Sequence, residues 1–293
     1  MKHLMIVLIA LGAERFLGDV LGQFRQFRQL DWYHALAGSV EARVGSIEAL
    51  KGPAGAALVI VIPVLAGWFV YSFVAGIHAI FGVLFALVLL WYCIGPRDLD
   101  TDVREVLIAV RGGNDTEANR LTQNLSGAAT PVTAETRGRQ ASEAVLIEAN
   151  NRLYGVLFWF LALGPLGALL FRFSAELRRY ATKSGSGLVA GAALIHDALS
   201  WIPARLTACA YALGGNLPGA LNSWRVAETL GLDQTQGVLR DSGIGALQVE
   251  GEGPETWQAK EIDRVTAALD LAFRALVILL GFVLLLYILM WVA

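Results

Sequence analysis

The chain has 293 residues, 56% of them hydrophobic and 16% charged, with a formal net charge of −2 and a mean hydropathy of +0.55. Soluble domains carry about 25% charge, so the composition of an ordinary soluble protein is excluded. With no basic excess to meet a phosphate backbone, a nucleic-acid partner is excluded as well.

In chain order, the first element is the apolar stretch HLMIVLIALGA, residues 3–13. It is too short to cross a bilayer core of about 30 Å alone, and reads as a short inserted or interfacial helix. Residues 52–96 contain no Asp, Glu, Lys or Arg. One helix of that length would extend about 67 Å, twice the core thickness, so the run must fold back on itself. YSFVAGIH, residues 71–78, is the natural tip, giving spans over about 55–73 and 74–95.

A polar, helical region follows at 97–152. Val103, Val106, Leu107 and Val110 form one helical face, ended by Gly112 and Gly113. Asn114 or Asp115 caps a second helix carrying Ala118, Leu121 and Leu125 on one side. After a connector, ASEAVLIEANN runs helically into a third span, 153–171, kinked at Gly164-Pro165.

A second polar region covers 172–274. Within it, residues 188–213 read as a further membrane or interfacial helix, 217–231 as a helix with Pro near its start, and 248–255 as a loop. Residues 275–293 form the fourth span. Trp68, Trp91, Tyr92, Tyr287 and Trp291 lie near span ends, as interfacial aromatics do. The two cysteines, Cys93 and Cys209, have no metal or redox spacing and read as reduced, buried small hydrophobes. The predicted fold class is all-α: one polytopic membrane domain over 1–293, with four firm transmembrane helices, one or two short or broken membrane helices, and helical extramembrane loops.

No soluble-enzyme signature is present: no phosphate-binding loop, no H-E-x-x-H and no G-x-S-x-G elbow. What remains is polar residues at span edges. Arg97, Asp98 and Asp100 leave the second span in GPRDLD. Glu148, Asn151 and Arg152 enter the third in IEANNRL, on one face if that segment is α-helical. They form either an ion-paired collar at the headgroups or a pocket under the bundle. In HDALSWIPARLTA, Asp197, Trp201 and Arg205 are spaced by four, with His196 and Thr207 close by. An ionised Asp at bilayer depth costs about 2.5–3.5 kcal/mol and needs a partner or water. The stripe therefore faces either open solvent or a polar cavity shared with GPRDLD or IEANNR.

ALSWIPARLTA resembles a signature shared by the AmpE proteins and the CobD/CbiB adenosylcobinamide-phosphate synthases. The motif order agrees over most of the chain: ERFLGD at 14–19, GPRDLD, an acid- and amide-bearing entry to LFWFLALGPLGALLFR, IPARLT, and a terminal hydrophobic helix. The synthases join an aminopropanol-type amine to a corrinoid carboxylate, with nucleotide and metal. Several of their polar positions differ here: Asn151, Arg152 and Val156 replace an Asp-Gly pair and a Pro. Ala175 and Arg178 follow the shared Arg172 in place of an Asn and an Asp, and a paired Asp becomes His196-Asp197.

The chain is therefore similar to the AmpE branch, which implies a bacterial inner-membrane signalling or sensor protein of the cell-wall-stress and β-lactamase response. Its implied partners are the lipid bilayer, a cell-wall-derived small molecule and a regulatory protein. Neither cofactor, metal nor catalytic residue is implied, and the replaced acids argue against synthase activity. The alternative is a membrane-embedded ligase or transferase related to adenosylcobinamide-phosphate synthase. The expected ligand pocket gathers Arg97, Asp98, Asp100, Glu148, Asn151 and Arg152 with Arg172, His196, Asp197, Arg205 and Thr207.

Overall fold

The structure, a computed structural model, describes residues 2–21, 30–44, 52–94, 96–127, 133–228, 235–247 and 257–292. Side chains are described for fewer, which leaves those of Arg97, Asp98, Trp291 and the ERFLGD segment undescribed, and the 248–255 loop lies outside the described residues. Every regular element among the described residues is a helix. The helices fall into two compact units, Met1–Arg97 with Asn151–Ser200, and Asp98–Asn150 with Trp201–Ala293.

The first unit holds α1 (Lys2–Leu21), α2 (Asp31–Val44), α3 (Pro53–Ile77) and α4 (Ala79–Cys93). It also holds α8 (Gly155–Leu163), α9 (Pro165–Ser184) and the start of α10 (Val189–Gly214). The charge-free run breaks at His78, whose Nδ1 accepts the Ile80 N–H at 3.2 Å and so caps α4. α3 packs against both α4 and α9. Its Leu65, Trp68, Phe69 and Phe73 stay exposed, as side chains turned toward lipid must be.

The second unit holds α5 (Pro96–Arg111), α6 (Asp115–Ser126), α7 (Ala134–Ala149), the rest of α10, α11 (Leu217–Glu228), α12 (Thr235–Ala246) and α13 (Trp257–Val292). Val103, Val106, Leu107 and Val110 of α5 are buried, and Val106 and Val110 pack with Ala118 and Leu121 of α6. Asn114 accepts the Glu117 N–H at 3.2 Å and caps α6. α7 lies against α6, α12 and α13. At its buried end Arg137 donates to both Glu261 oxygens, at 2.5 and 2.8 Å, and to Asp115 at 2.9 Å and Asn119 at 3.0 Å.

Two helices among the described residues are long and apolar enough to cross a membrane, within Pro53–Ile77 and Ala259–Met290. Both leave most of their apolar side chains exposed, unlike the core helix of a soluble protein. The expectation of four firm spans is therefore met for two among the described residues. α4 has only 15 residues, about 22 Å of rise. The run at 153–171 is broken, not kinked: Gly164 adopts φ 68°, Pro165 opens a new helix, and α8 is left with nine residues. Phe160 and Phe171 in that run are fully buried, so it forms core. Cys93 is buried as expected, whereas Cys209 is exposed.

Candidate functional site

A polar cluster in the first unit is built on α9. Residues 172, 176 and 179 recur at helical spacing, so Arg172, Glu176 and Arg179 share a side of the helix. Glu176 receives the Nε2–H of His34, on α2, at 2.8 Å, and Arg172 Nη2 stands 3.8 Å from its other oxygen. The ring of His34 stacks on Tyr180, centroids 5.3 Å apart. Beneath this, Tyr33 is fully buried and donates to the Phe173 carbonyl at 3.0 Å. Burial pushes the Glu176 carboxyl up, but the His34 hydrogen bond and the Arg172 and Arg179 charges outweigh it, holding it down to about 2. Arg172 Nε is buried and meets no acceptor among the described residues.

Between Glu176 and Arg179 on α9, Arg178 forms an ion pair with Asp197 of α10. Beside it His196 is buried and bonded at both ring nitrogens. Ser174 Oγ donates to the Phe171 carbonyl at 2.8 Å and lies 3.1 Å from His196 Nδ1. Nε2 faces Asn151 Oδ1 at 3.1 Å and Ser200 Oγ at 3.2 Å. Trp159 of α8 donates to the Leu199 carbonyl at 2.9 Å, the group that Pro203 frees one turn later in α10.

The expected pocket residues are thus distributed. Asn151, Arg152, Arg172, His196 and Asp197 belong to the first unit; Asp100, Glu148, Arg205 and Thr207 to the second. Asp100 pairs with Arg104 at 2.8 Å on an exposed surface. Arg205 lies 4.0 Å from the Trp201 ring centroid, and Thr207 donates to Asn150 at 3.3 Å. The shared α-helical face expected for Glu148, Asn151 and Arg152 is corrected: Asn150–Tyr154 is a π-helical turn, whose i→i+5 bonding shifts the register.

Sequence reasoning missed Ser174, Glu176, Arg178 as the partner of Asp197, and His34. The first three had a readable signal, lying on α9 beside the shared Arg172. His34 did not, because a contact 142 residues distant leaves no spacing pattern.

The synthases' metal does not fit what is described. Both carboxylates of the cluster are engaged by cations, and no three His, Cys, Asp or Glu side chains gather among the described residues.

Comparison with known proteins turns these observations into a family. The cobalamin biosynthesis protein CobD of Stutzerimonas stutzeri (strain A1501) is 33% identical over 172 residues, 57% of this chain and 57% of that protein. The cobalamin biosynthesis protein CobD of Chromobacterium violaceum is 28% identical over 204 residues, 68% of this chain and 64% of that protein. The matched regions thus span 57% and 64% of the length of these curated relatives. No solved structure matches the chain. Relatives named for cobalamin biosynthesis overturn the expectation of a cell-wall-stress sensor in β-lactamase regulation, and nothing supports a cell-wall-derived ligand or a regulatory protein partner. The CobD/Cbib protein model matches residues 7–290, and with its two exposed apolar helices the chain is a membrane protein that belongs to the CobD/CbiB family.

Proposed function

We propose that the protein is a multi-pass enzyme of a bacterial cytoplasmic membrane, a ligase or transferase of cobalamin biosynthesis related to adenosylcobinamide-phosphate synthase. The observation that carries this is the family match over 7–290, which takes in GPRDLD, IEANNRL, the α8–α9 block and IPARLT together. Two relatives with cobalamin-biosynthesis names support it.

In this reading the α9 cluster binds substrate anions. Arg172, Arg178 and Arg179 outnumber Glu176 and Asp197, and the buried Arg172 Nε has a hydrogen to give. A guanidinium grips a carboxylate or phosphate with two hydrogen bonds, the geometry needed to hold such a group still while an amine approaches. Where the synthases carry an acid, Arg178 neutralises Asp197 instead, and Arg172 Nε is the donor this cluster offers a substrate anion.

The test is complementation of a strain lacking its adenosylcobinamide-phosphate synthase, on medium that requires completed cobalamin. Growth with the chain expressed at native level, lost in Arg172→Ala while that variant remains in the membrane, is the expected result. Absence of growth from wild-type protein shown to be folded in the membrane would overturn the reading.

A further inference from the structure

The second half of α10 carries two faces of opposite character. The inner face is pinned to α7: Tyr211 donates to the Leu146 carbonyl at 2.8 Å, and Thr207 to Asn150 at 3.3 Å. Ala204, Ala208 and Ala212 are buried around these bonds. The outer face presents Trp201, Ile202, Leu206, Cys209 and Leu213, all exposed. At 3.6 residues per turn they fall within an arc of about 140°. The charge on that arc is Arg205, and it is folded back: its guanidinium lies over the Trp201 ring and its Nη1 donates to the Trp201 carbonyl at 3.1 Å.

The C-terminal end of α10 marks a definite level on α13. Arg274 Nη1 donates to the Gly214 carbonyl at 2.9 Å, and Gly214 abuts the side chains of Leu271 and Ile278. Arg274 is the last charged residue of α13, and everything from 275 onward in that helix is uncharged. Gly214 therefore sits level with the point where the charged half of α13 gives way to its uncharged half. Leu213 flanks this point on one side and Leu217, the first residue of α11, on the other. α11 continues the pattern. Gly219 closes against the Gly245 carbonyl of α12, while Leu217 and Leu221, on the opposite side of α11, are exposed.

We propose that the outer face of α10 from Trp201 to Leu213, with Leu217 and Leu221 of α11, rests in the lipid bilayer at the boundary where α13 enters it. The occupant is lipid because the face adjoins α13 where its uncharged, little-buried stretch, long and apolar enough to cross a membrane, begins. An Arg folded over a Trp is also how a cation and an aromatic sit together at headgroup depth. From Trp201 to Gly214 the helix rises about 20 Å, less than a bilayer core, so this half of α10 embeds without crossing. The inference rests on the membrane reading and is independent of the proposed catalysis.

Cys209 lies on this face with a free thiol, and Cys93 is buried, so the chain carries its own probe. The full chain with Cys93→Ala, spin-labelled at Cys209 and reconstituted in phosphatidylethanolamine–phosphatidylglycerol vesicles, is measured for collision with oxygen and with a water-soluble nickel chelate. Oxygen should dominate, with a ratio several-fold above that of a label at Glu105→Cys, an exposed position on α5, in a chain lacking both native cysteines. Dominance of the nickel chelate would show the face open to water and sink the proposal. Protection from both reagents with dipolar broadening would show a second copy covering it, with the same consequence. The unlabelled wild-type chain gives a second readout that no substitution can disturb. In vesicles permeabilised so that both sides are reached, Cys209 should resist a charged maleimide until SDS is added, and modification before SDS would refute the lipid contact.

Discussion

The Glu176 carboxylate offers the sharpest test of how the first unit is held together. In the folded chain it titrates at about 2, against an ordinary value of 4.5. That difference corresponds to about 3 kcal/mol of preference for the charged form in the native state. Because the folded value lies below the unfolded one, this stabilisation is complete above about pH 4.5 and is lost as pH falls towards 2. Glu176→Gln keeps an oxygen for His34 but deletes the charge that the His34 hydrogen bond and the Arg172 and Arg179 charges stabilise. At neutral pH the substitution should cost about 3 kcal/mol, near the 3–5 kcal/mol typical of stranding one member of a buried pair. At about 2–4 °C per kcal/mol this lowers the melting temperature by roughly 6–12 °C. The assay is thermal unfolding of both proteins in the same detergent from pH 7 down to pH 3. Only the difference between them is read, since it removes the titration of every other carboxylate. The difference should be constant down to about pH 4.5 and shrink below it. A difference under about 1 kcal/mol at pH 7, or one that does not shrink in acid, would refute the claim that Glu176 is held ionised by its neighbours.

Arg137→Ala should destabilise the second unit by about 3–5 kcal/mol, since it strands Glu261 in a nearly dry site; paired Arg137→Met and Glu261→Leu should recover much of that loss in a double-mutant cycle. Gly155→Ala would place a Cβ 2.1 Å from the buried Phe171 ring and should cost about 1–3 kcal/mol, relieved by adding Phe171→Leu, as melting temperatures in one detergent would show. Reversing the Arg178–Asp197 pair in both members should restore more membrane-inserted protein and more complementing growth than either single reversal, and equal growth from all three variants would show the pair to be dispensable.

The sequence made the helices legible where one physical rule acted alone. The α5 face of Val103, Val106, Leu107 and Val110 follows from period 3.6, and the break of the charge-free run follows from its length against the bilayer thickness. It misled where two rules competed. Residues 153–171 satisfy a hydropathy criterion for a span, but Gly164-Pro165 divides them and Phe160 and Phe171 are spent on the core. Hydropathy cannot distinguish an apolar side chain that meets lipid from one that meets protein. The π turn at Asn150–Tyr154 hid for a related reason: helical-face arguments assume an α register, and nothing in NNRLY announces that it is lost.

The polar cluster shows a different limit. Counting acids against the synthases found Arg178 only as a loss, an absent carboxylate, and from that loss the chain looked non-enzymatic. Arg178 in fact reaches Asp197, the acid left standing next to IPARLT, and the two neutralise each other within the first unit. A change of residue that removes one charge and captures another conserves the electrostatic requirement of a weakly hydrated interior while altering which groups face a substrate. The relevant comparison is therefore between whole charge sets, α9 with the start of α10. On that basis one acid position of the synthases has become a cation, Arg178, and the acid that remains, Asp197, pairs with it. The paired reversal of Arg178 and Asp197 separates a charge kept for folding from one kept for binding: a swap that restores membrane insertion without restoring growth would assign the pair to the substrate.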